Sequence, residues 1–181
     1  MSGFFRCVLY LGTTGFLFFL IGRILPKAWF RYDQLPYRPL KLEKGGRVYL
    51  VLGVHKWKEK FPDMSVVLPK FMPSKKLPKT MNSAQVERMV QETCIAELIH
   101  SLLCITGLVC VFLWKGIGGI SIAVLYALAN LPYCIIQRYN RPKLIKIWMA
   151  LSAKETNNIK IEEETGYEER ADIKLQYGAR A

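Results

Sequence analysis

Glu92, Glu97 and His100 are the residues of this chain whose types and spacing most readily support proton transfer. They lie in the run ETCIAELIH, which opens an apolar segment. On a helix turning about 100° per residue, Glu97 falls about 60° to one side of His100 and Glu92 about 80° to the other. One face then presents an imidazole flanked by two carboxyls. Such groups are costly in a bilayer, so a functional role is the default reading for them. A carboxylate beside His100 would hold its tautomer and raise its basicity, as a general base acting on a hydroxyl requires. The structural alternative leaves both glutamates at headgroup depth and has His100 bond a neighbouring helix.

A second group closes the last apolar run. Tyr126, Asn130, Gln137 and Arg141 fall within about 40° of one helical line, a polar stripe on an otherwise apolar helix. Pro132 removes a backbone donor there and predicts a kink near Asn130. Asn130 or Gln137 could donate to a developing oxyanion or meet Glu97 and His100. Arg138, Asn140 and Arg141 would then stand at the mouth of the site, where guanidinium forks suit phosphate or carboxylate groups. Ordinary anchoring of a membrane helix by its basic end is the structural alternative for the two arginines.

The elements that must position these groups follow from the distribution of charge. Of 181 residues, 51% are hydrophobic, yet the net charge is +12. All but three of the 40 charged residues lie in Arg23 to Glu92 or after Gln137. Three apolar runs remain, expected to span a bilayer at about residues 4–25, 96–114 and 117–137, each long enough for a core of about 30 Å. The expected fold is therefore an all-α integral membrane protein with three transmembrane helices and amphipathic interfacial segments, occupying residues 1–154. Residues 155–181 read as a charged, solvated tail. A cleaved signal is the alternative for the first run, but Arg23 is followed by Ile24, Leu25 and Pro26 rather than by small residues.

Fifteen of the 26 Lys and Arg lie between Arg23 and Arg88 and nine follow Gln137, while Lys115 alone sits in the short turn after the second run. The positive-inside rule then predicts a cytoplasmic loop over 26–94 and a cytoplasmic C-terminus in a multi-pass cell-membrane protein. Within the loop, Leu25 to Pro39 mixes aromatic and basic residues suited to the headgroup belt, with three prolines against a continuous helix. Arg47 to Val54 is read as a short strand or a shallow re-entrant piece. His55 to Thr80, with four prolines, is expected on the membrane surface. Asn82 or Ser83 should cap a helix that continues into the second span. Lys143 to Leu151 has the pattern of an interfacial helix.

Some chemistries are not indicated. The basic surplus borders membrane spans and suits anionic headgroups, and no nucleic-acid motif accompanies it. With only His55 as a second histidine, no metal site is expected. No cofactor is expected either, since no strand–Gly-rich–helix unit is present. The five cysteines show no CxxC spacing and read as small hydrophobes; Cys94, beside Glu92, is a conceivable acyl carrier. Neither a GxSxG elbow nor an HxxxxD box occurs.

Three segments, HKWKEKFPDMS, ETCIAELIH and NLPYCIIQRYNRPKL, resemble the glycosyl-4,4'-diaponeurosporenoate acyltransferase family over roughly Arg47 to Leu144. That resemblance implies a small membrane enzyme that moves a fatty acyl group onto a sugar hydroxyl of a glycosylated carotenoid or lipid. It implies as partners a fatty acyl donor, a glycosylated acceptor and the membrane lipids. The residues agree with such chemistry: a base near the interface, an amide for the oxyanion, and arginines for an anionic donor. Two other classes compete: a lipid-modifying reductase or methyltransferase gripping a cofactor through Asn130, Arg138, Asn140 and Arg141, and a non-catalytic partner subunit whose ionisable residues join helices. The donor, the acceptor lipid and the oligomeric state are open at this level.

Overall fold

The structure, a computed structural model, describes residues 2–61 and 81–178. It is all-α, with no strand among the described residues. In chain order the helices are α1 (Gly3–Ile24), α2 (Arg47–Val51), α3 (Val54–Trp57), α4 (Ser83–Gly107), α5 (Cys110–Leu113) and α6 (Ile117–Gly178). Three segments are long and apolar enough to cross a membrane: Gly3–Ile24, Ser83–Leu113 and Ile117–Ile161.

Helix α4 opens on a reciprocal cap. The Gln85 amide donates to Asn82 Oδ1 at 2.9 Å, and the Asn82 amide donates to Gln85 Oε1 at 3.2 Å, which satisfies two of the orphan donors at the helix start. Its other end turns sharply into α6. A Cβ on Gly119 would stand 2.2 Å from the Trp114 carbonyl and 2.4 Å from that of Cys110, so no other residue fits this close approach.

From that turn the two helices run antiparallel over the length of α4, and α6 continues beyond it. Cys104 Sγ reaches the Ala127 carbonyl at 3.7 Å, Ser101 Oγ lies 3.6 Å from Cys134 Sγ, and the Ser83 amide donates to Glu155 at 2.8 Å. Helix α1 packs antiparallel to α4, with Tyr10 donating to the Thr106 carbonyl at 3.2 Å and Gly22 seated against Ile99. Only Cys7 of α1 is buried, and Phe4, Phe5, Leu9, Phe16 and Leu17 lie exposed. An apolar helix with so little buried inside the protein has the bilayer as its other surface.

The segment between the first two spans folds back over the hairpin. Phe30 and Tyr37 join Cys94 and Ile95 in one buried cluster, and Tyr49 and Val54 join Tyr139 in another. Three local expectations differ from this arrangement. Residues 47–57 form the helical turns α2 and α3, separated by Gly53 at φ 65°, rather than a strand or re-entrant piece. The segment after Pro142 is no separate helix: α6 runs unbroken through Pro132 and Pro142. Its amphipathic stretch is partly covered by protein, since Trp148 packs edge-on against Tyr32 at 5.9 Å. The backbone of 155–178, expected as a solvated extension, continues α6, with Glu155 drawn onto Ser83. The surface expectation for 62–80 lies outside the described residues.

Candidate active site

Two polar clusters lie between α4 and α6, in the half of the hairpin away from its tight turn. In the first, His100 Nδ1 lies 2.9 Å from Asn130 Oδ1. Asn130 Nδ2 donates to the Tyr126 carbonyl one turn back, also at 2.9 Å. That bond fixes the amide, so the atom facing His100 is an acceptor and Nδ1 must carry the ring proton. The basic lone pair is thereby placed on Nε2. Tyr133 stacks on the imidazole, with ring centroids 4.6 Å apart and planes within 8°. Asn130 is buried and His100 is half-buried.

The second cluster holds four charges. Arg138 donates from Nε to Glu97 Oε1 at 2.6 Å, pairs with Glu43, and donates to the Pro36 carbonyl at 2.7 Å. Arg141, only 2% exposed, donates to Glu97 Oε2 at 2.5 Å, to Thr93 Oγ1 at 2.8 Å, to the Thr93 carbonyl at 3.1 Å and to the Tyr37 carbonyl at 2.9 Å. Two guanidiniums and two carboxylates make the cluster neutral. Each arginine also holds a carbonyl of the 36–37 loop, so the cluster fastens that loop to the hairpin. Such buried pairs are held by complete hydrogen bonding, which offsets their desolvation. Tyr49, buried beside this cluster, has its phenol pushed up to about 12 by burial and by the neighbouring Glu43 carboxylate.

The sequence-derived site residues therefore separate. His100 and Asn130 come together, as the polar stripe on the last span suggests. Glu97 was expected to orient His100, but both of its oxygens are held by Arg138 and Arg141, and an amide stands at the imidazole instead. Glu92 leaves the site: it pairs with Lys27, partly exposed in the turn that follows α1. Gln137 is buried on the stripe, and Asn140 is half-buried beside it. Arg141 is enclosed by protein rather than presented at a mouth, and Arg138 is mostly so. Cys94 is fully buried against Phe30 and Tyr37, where no acyl donor reaches its thiol. Among the described residues, no group of three or more potential metal ligands comes together.

Glu43, Thr93, Tyr37 and Tyr133 belong to these clusters and were not singled out from the sequence. Glu43 stands in KLEKGGR, where an acid among lysines reads as solvated. The one signal for it is the unmatched charge of Arg138 and Arg141 against Glu97.

Residues 26–150 match the family described as glycosyl-4,4'-diaponeurosporenoate acyltransferase. The chain is 34% identical over 130 residues to the glycosyl-4,4'-diaponeurosporenoate acyltransferase of Staphylococcus aureus strain bovine RF122 / ET3-1, covering 70% of this chain and 76% of that one. It is 33% identical over 137 residues to the same enzyme of strain Newman, covering 74% and 81%. The chain belongs to the glycosyl-4,4'-diaponeurosporenoate acyltransferase family. This acyltransferase has no match among solved structures. The region it shares with the family begins well before Arg47, so it takes in Pro36, Tyr37 and Glu43 as well as both hairpin clusters, and it leaves α1 outside.

Proposed function

We propose that this acyltransferase moves a fatty acyl group onto a sugar hydroxyl of a glycosylated carotenoid or similar glycolipid, at the cytoplasmic face of the cell membrane, with His100 as the general base. The observation that carries the reading is the His100–Asn130 contact. An amide that accepts from Nδ1 orients the imidazole and directs Nε2 at a hydroxyl proton, the role an asparagine plays beside histidine in some nucleophilic hydrolases. Stacking on Tyr133 restricts the ring to one plane, which limits the orientations the hydroxyl must match. No serine or cysteine nucleophile is required: His100 takes the proton from the acceptor hydroxyl as its oxygen attacks the acyl carbonyl, and the departing group accepts a proton as it leaves.

The site's depth suits an acceptor of mixed character. His100 lies three residues inside the span from Glu97, about 4.5 Å along the helix. A long apolar chain in the bilayer can bring a sugar headgroup to that level without leaving the lipid. Glu97, Arg138 and Arg141 act on the reaction through position, by holding the 36–43 loop over the hairpin. The test compares membrane lipids from cells with and without the gene by mass spectrometry. Loss of one acyl increment from a glycosylated lipid is expected, and an unchanged lipid profile overturns the reading.

A further inference from the structure

A cavity of about 250 Å³ opens on the opposite side of α6 from the His100 site, between the Lys44–Arg47 turn and the helix. Its lining includes the cationic side chains of Arg47, Lys143 and Lys146 and no carboxylate. Among the described residues, none of these three forms an ion pair, in contrast to Arg138 and Arg141 a turn away, whose charges are matched by Glu43 and Glu97. Three unmatched cations around one small space raise its potential and favour an anion.

The cavity is built by the backbone. Lys44, Gly45 and Gly46 take left-handed conformations in succession, at φ 45°, 66° and 91°. They reverse the chain over Pro142 and bring Arg47 opposite the two lysines. Lys143 is positioned as well: its ammonium lies 3.8 Å from the ring centre of Tyr139, which is buried. Leu50, half-exposed, forms an apolar wall. Val51 and Leu42, nearly fully exposed, continue the apolar surface away from the cavity.

We propose that this cavity is a binding site for the phosphate group of an amphiphile, separate from the acyl-transfer site. A phosphate ester offers a full negative charge and at least two acceptor oxygens to these cationic donors, and the adjoining apolar surface suits the chain that carries it. Two sources share this chemistry: the headgroup of an anionic membrane phospholipid, and the phosphates of a soluble thioester donor.

The full-length protein, purified in neutral detergent, is tested by native mass spectrometry with phosphatidylglycerol against phosphatidylcholine, and by equilibrium dialysis with coenzyme A. Arg47→Gln, Lys143→Gln and Lys146→Gln should each weaken binding of the phosphate probe about tenfold, as for loss of one charge-assisted contact. Lys160→Gln, an equal charge change on an exposed part of α6, should change it less than twofold. Retention of phosphatidylglycerol that is sensitive to the cavity variants supports the site with a lipid source. Coenzyme A binding with the same sensitivity supports it with a soluble source. Binding of neither probe, or equal weakening by Lys160→Gln, overturns it. None of these readings depends on acyl transfer, so failure of the catalytic reading leaves the test intact.

Discussion

His100 on α4 and Asn130 on α6 meet across the hairpin with Nδ1 2.9 Å from Oδ1. A single hydrogen bond thus sets which ring nitrogen is basic, and the helix that supplies the amide also anchors its orientation through the Tyr126 carbonyl. His100→Ala should reduce acyl transfer by about 10²–10⁴-fold, the usual loss on removing a general base. Membrane insertion and expression should be unchanged. An active His100→Ala variant in a lipid-product assay would remove the base from this position.

Asn130→Asp tests the orienting amide. The substitution keeps the acceptor that faces Nδ1 but adds a negative charge, which favours the protonated imidazole, a form that cannot take a proton. Because activity needs the neutral ring, the acid limb of the pH–rate profile should move to higher pH. A profile with an unmoved acid limb would mean that the amide does not act through His100.

Glu97→Gln should destabilise the protein rather than shift that acid limb, because Glu97 serves Arg138 and Arg141. Removing one partner of a buried pair costs about 3–5 kcal/mol, since the remaining charge is left uncompensated. The pair Glu97→Gln with Arg141→Gln should recover part of that loss, measured by thermal unfolding in detergent. Full additivity of the two single losses would contradict the shared pair.

Tyr49 should titrate well above the ordinary range of a tyrosine. Its phenol is raised from about 10 to about 12 by burial and by the neighbouring Glu43 carboxylate. The folded state thus holds this proton more tightly than the unfolded chain does. The stabilisation is complete below about pH 10 and is lost as pH rises toward about 12. Absorbance titration should show a late phenolate step that disappears in Tyr49→Phe; a wild-type curve identical to that of the variant would refute the assignment.

Orientation is tested directly. A reporter fused after Ser74 should be cytoplasmic and one inserted at Gly118 external, as the asymmetry of basic residues requires. Labelling of both positions from one side of the membrane would refute the three-span arrangement.

Much of this fold is legible in the sequence because lipid leaves few options. Runs such as Cys7 to Gly22 and Gly116 to Gln137 carry no charge, so they must be helices that cross. The His100 site was half legible. The stripe through Asn130 pointed at its partner, because polar groups at that depth must meet one another. The place of Glu97 was not legible from its own helix. Angular nearness to His100 is a local property, whereas the partner of Glu97 is decided by the register of α6, which brings Arg138 and Arg141 to the same level. Two guanidiniums, one on each oxygen of Glu97, outcompete one imidazole for the carboxylate. The helical form of 47–57 was hidden for a related reason: an eight-residue apolar piece has no period long enough to separate strand from helix, and its packing on Tyr139 decides.

The four-charge cluster also bears on how the chain is made. Glu43 leaves the ribosome 95 residues ahead of Arg138, and Glu97 leaves 44 ahead of Arg141. While the second span is being delivered to the bilayer, its carboxyl has no guanidinium to neutralise it. The third span in turn brings two arginines that lack a counter-charge unless the second is already beside it. Entry of either helix alone is therefore disfavoured, and the two are expected to leave the translocon as one hairpin, with the earlier 36–43 loop fastened last. A nascent chain halted before α6 would present an unmatched acidic helix to the membrane's quality-control proteases.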